Sequence, residues 1–85
     1  MYVVCTYDVA ETRCDKYKKL LRKYLFHVQK SVFEGELTPR TFNELYDQIR
    51  ELAFENDHIR FYFCYNNKQL YKQVIGKEDS LTIIN

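Results

Sequence analysis

The sequence predicts an α+β sandwich of the ferredoxin-like type, in the order β-α-β(β)-α-β with an extra β-strand near the C-terminus. Three observations predict it. The segments 2–9 and 58–65 are apolar on both alternating sets of positions, which marks strands covered on both faces. Two apolar stripes at helical spacing lie between the extended segments. Helices placed between strands require crossovers, and these put both helices on one side of the sheet. The other side stays open.

Tyr2 to Val9 is the first strand, with Tyr2, Val4 and Thr6 on one face and Val3, Cys5, Tyr7 and Val9 on the other. Thr12 is the expected N-cap of the first helix, with Asp15 three residues on as the acid of a capping box. Cys14, Tyr17, Leu20, Leu21 and Tyr24 form that helix's stripe, which runs to about Leu25. Phe26 to Leu37 is extended, as one long bent strand or two short ones, and Gly35 marks a bulge, a bend or a close approach. Thr38-Pro39 is an N-cap followed by proline at the first helical position. Phe42, Leu45, Tyr46, Ile49 and Leu52 give the second helix its stripe, ending near Glu55-Asn56-Asp57. His58 to Tyr65 is a strand, Asn66-Asn67-Lys68 a turn, and Leu70 to Ile75 a further strand. Residues 1–85 thus form a single domain: 1–75 the core, and 76–85 a polar hinge with a short apolar strand suited to adding to a partner's sheet.

Eighty-five residues make a small domain, and a chain of this size buries only about 60% of its unfolded surface. Eight Tyr and six Phe are more aromatic surface than one such core needs. A sheet with helices on one side leaves an apolar patch on the other, and a two-fold pairing covers it by using the patch twice. A homodimer through the open sheet face is therefore expected. No apolar run is long enough to span a membrane, and no signal peptide is visible. Three cysteines without a Cys-x-x-Cys spacing read as reduced thiols of a cytoplasmic protein.

The net charge of +1 hides an asymmetry. Residues 1–30 carry seven Lys/Arg against three acids, and residues 31–66 carry three against seven. Lys16, Lys19 and Lys23 fall at helical spacing, with Arg13 in the first turn. A basic face for phosphates is one reading and a solvated helix surface the other. No nucleophilic triad, glycine-rich phosphate loop or His/Cys cluster appears, and His27 and His58 stand alone as structural or surface residues. Asp8 ends an otherwise apolar strand. It either satisfies backbone donors at the turn or serves as a metal ligand, since Mg²⁺ commonly takes one or two carboxylates with waters and phosphate oxygens.

"YDV" at Tyr7–Val9, "ETR" at Glu11–Arg13, "LLRKYL" at Leu20–Leu25, "VQKSVFEGELT" at Val28–Thr38 and "IGKE" at Ile75–Glu78 occur in order over nearly the whole chain. Together they resemble the Cas-two family, small CRISPR-associated endoribonucleases of the spacer-acquisition machinery. The resemblance implies a ferredoxin-like protomer, a homodimer, a C-terminal strand on the partner's sheet, and work beside the Cas-one integrase. It implies metal-dependent cleavage of RNA or DNA with Mg²⁺ (Mn²⁺ as a substitute), and places the metal ligand and catalytic carboxylate at Asp8. Many members carry more arginines in the first helix, where this chain has mostly lysines. Arg13, Lys16, Lys19, Lys23 and Lys30 are the candidate contacts to nucleic acid, whether duplex DNA or single-stranded RNA. Two functions are open: a Mg²⁺-dependent endonuclease, and an architectural adaptor that grips phosphates without relevant catalysis. A toxin-type ribonuclease of similar fold is more remote.

Overall fold

Apolar alternation on both faces places the first strand at the centre of a six-stranded antiparallel sheet. The structure, a computed structural model, describes residues 1–66, 69–76 and 80–84. Its elements are β1 (Tyr2–Asp8), α1 (Glu11–Leu21), β2 (Phe26–Gln29), β3 (Val32–Glu36), α2 (Pro39–Leu52), β4 (His58–Tyr65), β5 (Gln69–Ile75) and β6 (Ser80–Ile84). The sheet order is β2-β3-β1-β4-β5-β6. Its first four strands have the ferredoxin-like arrangement, and β5 and β6 extend it on one side.

Cross-strand partners share a face, so register sorts the side chains. Val3, Cys5 and Tyr7 of β1 stand beside Phe33 of β3 and Ile59, Phe61 and Phe63 of β4. All are buried, under Tyr17 and Leu21 of α1 and Phe42, Leu45 and Ile49 of α2. Ring contacts knit the layers: Tyr7 stacks on Tyr17 at 5.4 Å, and Phe42 meets Phe61 edge-on at 5.4 Å. Each such side chain contributes about 1.5–3 kcal/mol by leaving water. Burial also raises the pKa of the Cys5 thiol far above its ordinary value, so Cys5 is an inert core residue. All three cysteines are free.

The opposite face carries Tyr2, Val4, Thr6 and Asp8 of β1, level with Glu34 and Glu36 of β3 and Arg60, Tyr62 and Cys64 of β4. No helix covers it. Phe26 and Leu70 lie on the same face by register, and both are exposed.

Several local expectations need correction. Thr12 is not the N-cap. α1 starts at Glu11 behind Ala10, which makes no side-chain cap bond. The Arg13 N–H already closes the first turn on the Ala10 carbonyl at 2.8 Å, and the acid of Glu11 suits the helix N-terminus. α1 also stops at Leu21 rather than Leu25. Lys23 and Tyr24 donate to the carbonyls of Leu20 and Leu21 in tight turns, which drop Leu25 into the core and release Phe26 into β2. Residues 26–37 form two strands, joined by a turn in which Lys30 has a φ of 41°. The irregularity in their pairing falls between His27 and Gln29. Gly35 marks a close approach: a Cβ there would lie 3.2 Å from Leu25 Cδ2.

The Thr38-Pro39 start of α2 is as expected, with the Thr41 N–H donating to Thr38 Oγ1 at 3.1 Å. α2 ends at Leu52, earlier than expected, because Ala53 turns extended and Asp57 captures the next N–H, that of Phe54. Residues 67 and 68 of the expected turn and 77–79 of the expected hinge lie outside the described residues. β6 pairs antiparallel with β5 of its own chain, from Leu70↔Ile84 to Val74↔Ser80. Backbone pairing thus holds the tail, while Leu81 and Ile83 remain 61% and 54% exposed.

Candidate phosphodiester site

β1 delivers Asp8 to one end of the sheet. Its neighbour Tyr7 points into the core and is buried, so alternation turns Asp8 outward on the open face, where it is exposed. Among the described residues it has no hydrogen-bond or ion-pair partner. On the β3 side the Tyr7 N–H donates to the Ser31 carbonyl at 3.2 Å. This brings the exposed Lys30 and its turn to the same end of the sheet. The ring of His27, stacked on Phe33 at 4.7 Å, bonds the Lys30 carbonyl through Nε2 at 2.7 Å and so steadies the left-handed backbone there. On the β4 side the cross-strand partner of Asp8 is His58.

Behind this tip lies a buried anchor that nothing local in the sequence announces. Asp57 is 2% exposed. It accepts from Tyr17 Oη at 2.6 Å, from Arg13 Nε at 3.0 Å and from the Phe54 N–H at 3.1 Å. Burial alone pushes its pKa up. The bonds from Tyr17, Phe54 and Arg13, with the charge of Arg13, outweigh this and hold the carboxyl below the usual range. The Tyr17 hydroxyl is held above its ordinary value by burial and by Asp57. Arg13 also donates from Nη2 to the Leu52 carbonyl at 2.9 Å. One network therefore ties the first turns of α1 to the end of α2 and the start of β4.

The expected basic residues divide accordingly. Arg13 is committed to Asp57 and Leu52 and does not stand free in the lysine row. Lys16, Lys19 and Lys23 are exposed and line a groove of 360 Å³ between α1 and α2, with Gln48 and Glu51 on its other wall. That groove is on the helical layer, while Asp8 faces the open side of the sheet. Lys30 lies at the end of the sheet that holds Asp8, as does Arg13, whose guanidinium is taken up by Asp57.

As a metal site, Asp8 offers a single hard oxygen donor, which fits Mg²⁺ as part of a shell completed by water, phosphate oxygens and a second carboxylate. Among the described residues no group of three metal-ligating side chains is found. No helix among them is long and apolar enough to cross a membrane.

A small ferredoxin-like sheet with an outward carboxylate at the tip of its central strand defines a class of protein by architecture. The family is shown by comparison. The sequence model described as "CRISPR associated protein Cas2" matches residues 1–73. The chain is 44% identical over 87 residues to the CRISPR-associated endoribonuclease Cas2 of Methanosarcina acetivorans, covering 99% of this chain and 100% of that protein. It is 42% identical over 79 residues to the protein of the same name from Thermotoga maritima, covering 92% and 91%. The crystal structure of Streptococcus pyogenes Cas2 superposes with a TM-score of 0.69 at 35% identity, covering 79% of this chain and 89% of that one. The chain belongs to the CRISPR-associated Cas2 family.

Proposed function

We propose that the chain acts as a homodimer in CRISPR spacer acquisition, with Asp8 as the carboxylate of a Mg²⁺-dependent endonuclease site. The observation that carries this reading is the exposed Asp8 carboxylate, unpartnered among the described residues, at the end of the central strand with Lys30 at the same end. Curated relatives named endoribonucleases, such as the Methanosarcina acetivorans protein, support it. The open face supports the dimer, because Tyr2, Leu70 and Phe26 are left in water by a single chain. A second copy facing it brings a second Asp8 and completes a two-carboxylate site. Mg²⁺ (or Mn²⁺), when held by Asp8, would supply Lewis-acid chemistry at the phosphodiester. Asp8 holds the ion, and Lys30 offsets phosphate charge nearby.

A second reading is favoured by the separation of the lysine groove from Asp8. Lys16, Lys19 and Lys23 on the helical layer grip nucleic-acid phosphates without reading sequence, and the apolar β6 edge adds to a neighbouring sheet. The chain then serves as an adaptor for the Cas-one integrase, and cleavage is secondary. Asp8→Asn separates the two. Cleavage of single-stranded RNA and duplex DNA in Mg²⁺ should fall about a hundredfold or more, with duplex binding and dimerisation unchanged. Cleavage at the wild-type rate by the variant would remove Asp8 from the chemistry and leave the adaptor.

A further inference from the structure

We propose that the corner between the end of α2 and the start of β4 is a nucleobase subsite for single-stranded nucleic acid, with Phe54 as its stacking surface. A cavity of 680 Å³ opens there, lined in part by Phe54, Asn56, His58 and Gly76. That volume falls within the range of about 300–1,000 Å³ typical of small-ligand sites, so it takes one base and its sugar. A base in a duplex is stacked on both faces and cannot enter.

Phe54 is the unusual residue. It is 67% exposed, yet it is fixed twice. Its N–H donates to the buried Asp57 carboxylate at 3.1 Å. The Arg13 guanidinium, anchored on the same carboxylate, lies 5.6 Å from the centre of its ring. The interior network thus holds an aromatic ring out into water beside a cavity. An exposed phenylalanine held in place in this way has already met the ordering cost that a stacking contact incurs. His58 supplies a second flat group. Its ring lies over Gly76, where a Cβ would come within 2.8 Å of Nδ1, so only glycine leaves the ring this place. Asn56, in the left-handed region with φ 73°, offers an amide able to donate to and accept from a base edge.

The subsite also connects to Asp8. His58 is the cross-strand partner of Asp8, and neighbouring strands are about 5 Å apart. The cavity therefore lies at the same end of the sheet as Asp8, and an RNA strand with one base in it has its neighbouring nucleotides within reach of that end. This deepens the proposed cleavage reading by naming an unpaired nucleotide as its substrate, but base binding itself does not depend on Asp8.

The test titrates the full chain, without metal, with adenosine 5′-monophosphate and, separately, with ribose 5-phosphate, following backbone amide signals by NMR. Adenosine 5′-monophosphate should shift Phe54, Asn56 and Gly76, and ribose 5-phosphate should not. Phe54→Ala should weaken nucleotide binding about tenfold, the loss expected for one base–aromatic stack, while Phe54→Tyr retains it. Asp8→Asn should bind the nucleotide as the wild type does. Equal shifts from ribose 5-phosphate, no shift from the nucleotide, or unchanged affinity in Phe54→Ala each overturn the subsite. If Asp8→Asn loses cleavage while any of those results holds, the cleavage reading stands and the base subsite falls. If cleavage survives in Asp8→Asn while the nucleotide still binds through Phe54, the subsite stands and the Asp8 reading falls.

Discussion

The corner around Asp57 and the tip around Asp8 lie at the same end of the sheet, for Asp8 pairs across strands with His58, the residue after Asp57. At the corner a carboxylate is 2% exposed and receives bonds from a phenol, a guanidinium and a backbone N–H. At the tip a carboxylate is exposed and has no such partner among the described residues. Burying a charge is costly unless it is paired and hydrogen-bonded, so Asp57 is a fastening with its lone pairs used. The lone pairs of Asp8 are left to water, as its exposure allows. Residue type is the same at both places, and environment alone assigns the roles.

The largest expected effect that sharpens this contrast is on stability. Asp57→Ala leaves the buried Tyr17 hydroxyl and the Phe54 N–H without their acceptor, and should cost roughly 2–3 kcal/mol. Denaturant unfolding measures it, and a loss under about 0.5 kcal/mol would mean that the network does not fasten the corner. The pH dependence follows from the same group. Its folded pKa lies below its unfolded value, so the unfolded state binds the proton first. Its contribution is present above the ordinary Asp range of about 4 and is lost as pH falls through the lower folded value. The slope of stability against pH below about 4 should therefore be shallower in Asp57→Ala than in the wild type.

Tyr17→Phe removes one donor and keeps the ring under Tyr7. It should cost about 1 kcal/mol, and should release part of the downward hold on the Asp57 carboxyl, visible in the same acid titration. The smallest effect is at the tip. Asp8→Asn should change unfolding stability by no more than about 0.5 kcal/mol. A loss as large as that of Asp57→Ala would make Asp8 a structural residue and erase the contrast.

Much of the fold was legible because it rests on period and on local stop signals. The both-face apolar runs of β1 and β4, the stripe of α2 and the Thr38-Pro39 cap each depend on neighbours in sequence, and the structure places them as expected. The limits of α1 were not legible. Thr12 has a capping side chain, but Arg13 and Tyr17 are pulled onto Asp57, 44 and 40 positions away, and that anchoring sets where the helix sits. The end of α2 shifted for a related reason: Asp57 takes the Phe54 N–H, which bends the chain before the expected stop.

By itself the sequence determined the order of helices and extended segments, with residues 26–37 open as one strand or two, and the side of the sheet left uncovered. These follow from which residues alternate, and alternation is a property of the chain before it folds. Only the tertiary structure decided that Asp57 is buried, that Arg13 fastens it instead of joining Lys16, Lys19 and Lys23, and that Phe54 is held out beside His58. A charged side chain's role depends on which distant donors and acceptors share its small volume after water has left. No spacing along the chain records that, because the partners meet only when the sheet and helices close around them.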